Sequence, residues 1–235
     1  MGRRAECQRE LAGLEVHRWP AYLTERSGLP GPRADIELAQ AVADTGDAAL
    51  FDRLIADGDE YLVFCGVIGL GRLLAETPDA PKLEPRLRAH AADERWRVRE
   101  AVAMALQRLG DADPARLCEL VAEWARADDP LVLRAAVAAI CEPRLLKTPG
   151  AVTTALDVCA TATTWLAGLP AVRRRDDDVR TLRKALGYGW SVAVAADPAA
   201  GLPRFRTLAE ADADVAWIVR ENGKKTRLAK LLPPS

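Results

Sequence analysis

The stretch DERWRVREAVAMALQRLG, residues 93–110, decides the fold. Behind its acidic opening the apolar residues Val98, Val102, Leu106 and Leu109 recur at three- and four-residue spacing, one face of a helix. Asp at the head suits an N-cap, because its carboxylate accepts the unpaired amide hydrogens of the first turn. The same plan of Asp cluster, apolar residue and Arg returns in DDPLVLRAAVAAI from Asp128 and DADVAWIVREN from Asp212. Looser versions open at Asp57 (DGDEYLVFCGVIGLGRLL) and Asp176 (DDDVRTLRKALGYGWSVAVAA).

Helices beginning near residues 60, 94, 129, 176 and 212 are separated by 34, 35, 47 and 36 residues, the long step holding the extra GLPAVRRR. Partner helices fall over 47–56, 82–92, 114–127, 150–167 and 202–210, with Pro78, Pro81, Pro114, Pro149, Pro170, Pro198 and Pro203 at the junctions. A helix pair at this period predicts an all-α, right-handed α-α superhelix, a solenoid of about five pairs. Asp precedes Arg by six residues at Asp93/Arg99, Asp128/Arg134, Asp177/Arg183 and Asp214/Arg220, a spacing that predicts a ladder in which each Arg reaches an adjacent turn.

Residues 1–46, with a turn-rich Gly28–Arg33 and a helix from Asp35 to Ala43, are expected to cap the repeats of 47–223. Asn222-Gly223 reads as a helix stop, and 224–235 as a short basic helix and tail. No low-complexity linker divides the chain, so one continuous domain is expected. Gly66-x-x-Gly69-x-Gly71 lies within a helical stretch and follows no strand, so it predicts close helix packing and not a phosphate loop. Gly187 and Gly189 in GYGWS predict a kink or a close approach.

Composition agrees with helix: 44 Ala and 31 Leu stand against 12 aromatics in 235 residues. The charge of −1, from 33 Lys+Arg and 34 Asp+Glu, excludes a histone-like polycation. The opening residues are charged throughout, which argues against a secretory leader, and no apolar run is long enough to span a membrane. Five widely spaced Cys read as reduced packing residues of a cytoplasmic protein. With only His17 and His90, and no CxxC, neither a metal site nor a cofactor is expected.

Asp in the inter-helix turn with Arg in the second helix resembles the HEAT-repeat family, over residues 47–223. The resemblance implies a binding protein whose concave face offers Trp, Arg and Glu to a macromolecular partner. Tryptophan makes up half the aromatics, and two sit in matching words: Trp96-Arg97-Val98-Arg99-Glu100 and Trp217-Ile218-Val219-Arg220-Glu221. Residues four apart share a helix face, so each Trp lies beside its Glu. Packing between repeats, with Glu paired to Arg, is one reading of these words.

The Trp-rich C-terminal part also resembles the HEAT-like alkylpurine DNA glycosylases, in which tryptophans and a carboxylate four residues on line a lesion pocket. That resemblance implies catalytic roles for Glu100 or Glu221, each standing where the family has Asp and so carrying its carboxylate one methylene further out. Charge divides in the same direction: residues 165–235 hold 13 Lys+Arg and 8 Asp+Glu, while 1–164 hold 20 and 26. Candidate binding residues are Trp96, Trp190, Trp217, Arg180, Arg183, Arg220, Lys224, Lys225 and Arg227, facing a protein or duplex DNA. Against a phosphate-facing patch, Arg173-Arg174-Arg175 is followed at once by Asp176-Asp177-Asp178. The oligomeric state stays open.

Overall fold

The computed structural model describes residues 2–77, 81–208 and 212–232, and among these every regular element is helical. The chain divides into two compact units, 1–109 and 110–235. The first holds α1 (Arg3–Ala12), α2 (Trp19–Arg26), α3 (Ile36–Thr45), α4 (Ala48–Asp57), α5 (Glu60–Glu76), α6 (Leu83–Ala91) and most of α7 (Trp96–Ala112). The second holds α8 (Pro114–Trp124), α9 (Pro130–Ile140), α10 (Pro149–Gly168), α11 (Asp177–Ala196), α12 (Pro198–Arg206), α13 (Ala213–Gly223) and α14 (Thr226–Ala229). Five successive helix pairs, α4/α5 to α12/α13, follow the expected order, and the fold is all-α.

The second helix of each pair starts at 60, 96, 130, 177 and 213, within two residues of expectation. Asp caps set three of these starts, Asp59 for α5, Asp129 for α9 and Asp212 for α13, and Asp47, Asp113 and Asp197 likewise accept first-turn amide hydrogens of α4, α8 and α12. Two details differ. Helix α12 begins at 198 and not 202, because Asp197 caps it and Pro198 occupies its first turn, which leaves Pro203 inside the helix and not at a junction. Helix α9 is capped by Asp129, while Asp128 accepts a hydrogen bond from Trp165 Nε1 at 2.9 Å. Pro78, residues 209–210 of the expected partner helix and the tail from 233 lie outside the described residues.

In the first unit α5 is the hub, packed by α2, α3, α4 and α6. Its glycines permit this. A Cβ on Gly69 would lie 2.5 Å from the Phe51 ring, and one on Gly71 would lie 2.4 Å from the Ala105 Cα. The spacing predicts nothing for α1 and α2. Helix α1 is tied in by polar bonds: Arg4 and Gln8, joined by Arg108 of α7, donate to the Asp44 carboxylate of α3, at 2.5–2.7 Å. Burial pushes the Asp44 carboxyl up, but the hydrogen bonds from Arg4 and Arg108 outweigh it and hold the group below the usual carboxylate range.

In the second unit α10 touches α8 and α12, α11 touches α9 and α13, and α10 packs on α11, so the helices form two layers. Leu133, Val137, Leu156, Leu182, Leu186 and Ile218 fill the space between and around them. Asn222, read as a helix stop, is fully buried and joins α13 to α11. Its side chain accepts from the Ser191 N–H and donates to the Leu186 and Ile218 carbonyls, each at 2.8 Å. These bonds satisfy a polar group that would otherwise oppose folding.

Candidate functional site

Helix α11 presents Lys184 and Tyr188 four residues apart, both exposed and on one face. Between that face and α9 runs a groove of about 390 Å³. Its walls are apolar and short, from Val137, Ala138 and Cys141 on one side and Ala185 and Gly189 on the other. Its rim is polar: Arg134, Glu142, Thr181, Lys184 and Tyr188. The groove exists because small residues face one another across it. At Gly189 the helices close up, and a Cβ there would lie 2.8 Å from Val137 Cγ1. This is the close approach that the glycines predict.

Tyr188 marks one end of the groove, 42% exposed. Arg227 donates to its hydroxyl at 3.0 Å, with the guanidinium carbon 5.0 Å from the ring centre and Lys225 Nζ at 6.0 Å. An aromatic face flanked by two cations results. Lys225 and Arg227 were candidate binding residues, and the structure brings them together on Tyr188. Lys184 could be named from the charge of the C-terminal part, whereas Tyr188, in the GYGWS stretch, reads as packing and not as a binding residue. Their i, i+4 spacing beside two glycines was the available signal.

The other candidates separate by role. Trp190 is 1% exposed, donates from Nε1 to Thr163 Oγ1 at 3.0 Å and packs on Phe205, so its assignment to a binding surface is corrected: it is core. Trp217 is half-buried, its ring against Gly187 and the Arg183 guanidinium 4.7 Å from its centre. Arg183 also reaches Asp214 at 2.5 Å, one rung of the expected ladder. Arg99 donates to the carbonyls of Asp93 and Glu94 in its own turn.

Glu221 meets Lys224 at 2.5 Å, and that hydrogen bond holds its carboxyl below the usual range. Arg220 is exposed. Arg180 lines a second hollow of about 540 Å³ with Arg174, Arg175 and Arg183. Much of that charge is spent locally: Arg174 pairs with Asp212, Arg183 with Asp214, and Arg180 lies 3.7 Å from Asp177. Arg173 is likewise held by Asp176. The neutralisation suggested by the Arg-Arg-Arg-Asp-Asp-Asp run is therefore largely realised.

Trp96 and Glu100 lie in the first unit. Trp96 is 50% exposed, with the Arg97 guanidinium 3.8 Å from its ring centre. Arg97 is itself buried and pairs with Glu100 at 3.0 Å while donating to the Pro32 carbonyl at 2.8 Å. Among the described residues no His, Cys, Asp and Glu gather as three or more in a metal-holding arrangement, and no helix is long and apolar enough to cross a membrane.

Compared with known proteins, residues 48–141, the span from the start of α4 to the C-cap of α9, match the family described as HEAT repeats. No curated protein and no solved structure matches the chain at a significant level.

Proposed function

From a chain whose residues 48–141 carry HEAT repeats, we propose a non-catalytic binding scaffold that holds an acidic segment of a partner protein along α9 and α11. The observation that carries this reading is the groove itself, apolar at its floor and edged by Lys184 and by the Tyr188–Lys225–Arg227 cluster. Apolar side chains of the partner fill the floor, and its carboxylates meet the cations, with the Tyr188 ring as an anchor. Residues 1–46 act as the cap of the first unit, laying α3 on α5 and α1 on α3.

Catalysis has less support. Both proposed carboxylates are engaged by a cation three residues away, Glu100 by Arg97 and Glu221 by Lys224. The test is fluorescence anisotropy with a labelled peptide of alternating Glu and Leu, alongside a labelled duplex DNA, each at low and high salt. The peptide is expected to bind the native chain, and Lys184→Glu with Arg227→Glu is expected to weaken it at least about tenfold, roughly 1.4 kcal/mol. Peptide binding that is unchanged in the variant overturns the reading. Preferential binding of the duplex, falling steeply with salt, would transfer the face to nucleic acid.

A further inference from the structure

Cys141 and Cys159 bring their sulfurs to 3.6 Å. Cys141 is the C-cap just after Ile140, the last residue of α9, and Cys159 lies midway along α10. Both are buried, in a niche that exists because α11 offers no side chain there. A Cβ on Gly189 would lie 3.2 Å from one sulfur and 3.5 Å from the other. Cys141 borders the α9–α11 groove, so a small oxidant entering it meets Cys141 first. A disulfide requires the sulfurs to close by roughly 1.5 Å, to about 2.05 Å. The helix-terminal position of Cys141 favours that movement, since the chain beyond it leaves the helical ladder.

We propose that this pair is an oxidation site, at which hydrogen peroxide converts the Cys141–Cys159 dithiol into an intramolecular disulfide. The Cys141 sulfur, as thiolate, attacks a peroxide oxygen. The O–O bond breaks, leaving a sulfenic acid, and the departing hydroxide takes up the thiol's proton as water. The Cys159 sulfur then attacks the Cys141 sulfur, the S–O bond breaks, and the second hydroxide leaves as water with the Cys159 proton. Two thiols are oxidised and one peroxide is reduced to two waters. The hydrogen bond to Cys141 and burial keep the Cys159 thiol protonated until that step, which fits the role of resolving partner. Closure draws the end of α9 toward α10 and reshapes the groove floor, a consequence that rests on the binding reading above.

The test treats the native full chain with hydrogen peroxide, counts thiols and maps peptides without reduction. Free thiols are expected to fall from five to three, with a Cys141–Cys159 peptide pair lighter by two hydrogens. Cys159→Ser is expected to leave a sulfenic acid at Cys141 that dimedone traps. If both cysteines remain alkylatable after oxidation while Cys118, the more exposed thiol, is consumed, the proposal is wrong. The native-chain map needs no variant to fold. It reads sulfur alone, so peptide binding by the reduced protein can succeed or fail independently.

Discussion

Trp96-Arg97-Val98-Arg99-Glu100 in the first unit and Trp217-Ile218-Val219-Arg220-Glu221 in the second are nearly the same word placed in different surroundings. In the first, the Trp stands half in solvent under its own neighbour Arg97, which is buried and spends its charge on Glu100 and a loop carbonyl. In the second, the matching position is Ile218, fully buried, and the Trp is instead covered by Arg183 of the adjacent helix and seated on Gly187. The words differ at one position, Arg97 against Ile218, and the Trp meets a cation of its own helix in the first and of the next helix in the second. A motif of Trp and acid four apart therefore fixes a helix face, while the role of that face comes from the helix beside it.

The comparison can be broken most severely by removing the cover from one unit. Deleting residues 1–46 takes α1–α3 away from α5, whose buried face from Tyr61 to Leu74 is then open. Sedimentation is expected to show association, and a monomer of unchanged melting temperature would end the cap assignment. Next in size is Asn222→Leu, which leaves the Ser191 N–H and the Leu186 carbonyl without the partners shown, at a cost of about 3 kcal/mol in chemical denaturation.

The tryptophans themselves come third. Trp217→Ala should cost about 2–3 kcal/mol through the cavity left on Gly187, and Trp96→Ala no more than about 0.5 kcal/mol. Equal losses would show that the two settings are energetically alike. The smallest effect concerns acid. The Asp44 carboxyl is held low when folded, so its contribution is present above its unfolded pKa and is lost as pH falls through the lower folded value. Asp44→Asn is expected to lower stability at neutral pH and to flatten the loss below about pH 4. A parallel acid limb in both proteins would contradict that.

The helix pairs were legible because their signals are local. Asp caps act on amides two or three residues away, and apolar spacing is read within a single helix, so the second-helix starts agree to within two residues. The site was legible in part. Lys225 and Arg227 could be named from charge, but their meeting on Tyr188 depends on α14 folding back to α11, across 39 residues in the Arg227–Tyr188 bond. Trp190 failed as a surface residue for the same reason: its exposure depends on α10 and α12, which supply Thr163 and Phe205. Asn222-Gly223 does close α13, but the second role of Asn222 was not legible, because two of its three bonds reach α11, outside its own helix.

Amide chemical-shift mapping by NMR during titration with the Glu/Leu peptide tests most directly whether the α9–α11 face is where a partner sits. Shifts should concentrate at Ala138–Glu142, Lys184–Gly189 and Lys225–Arg227, leaving Trp96 and Glu100 unmoved. Shifts centred on Trp96, or none at saturating peptide, would contradict it.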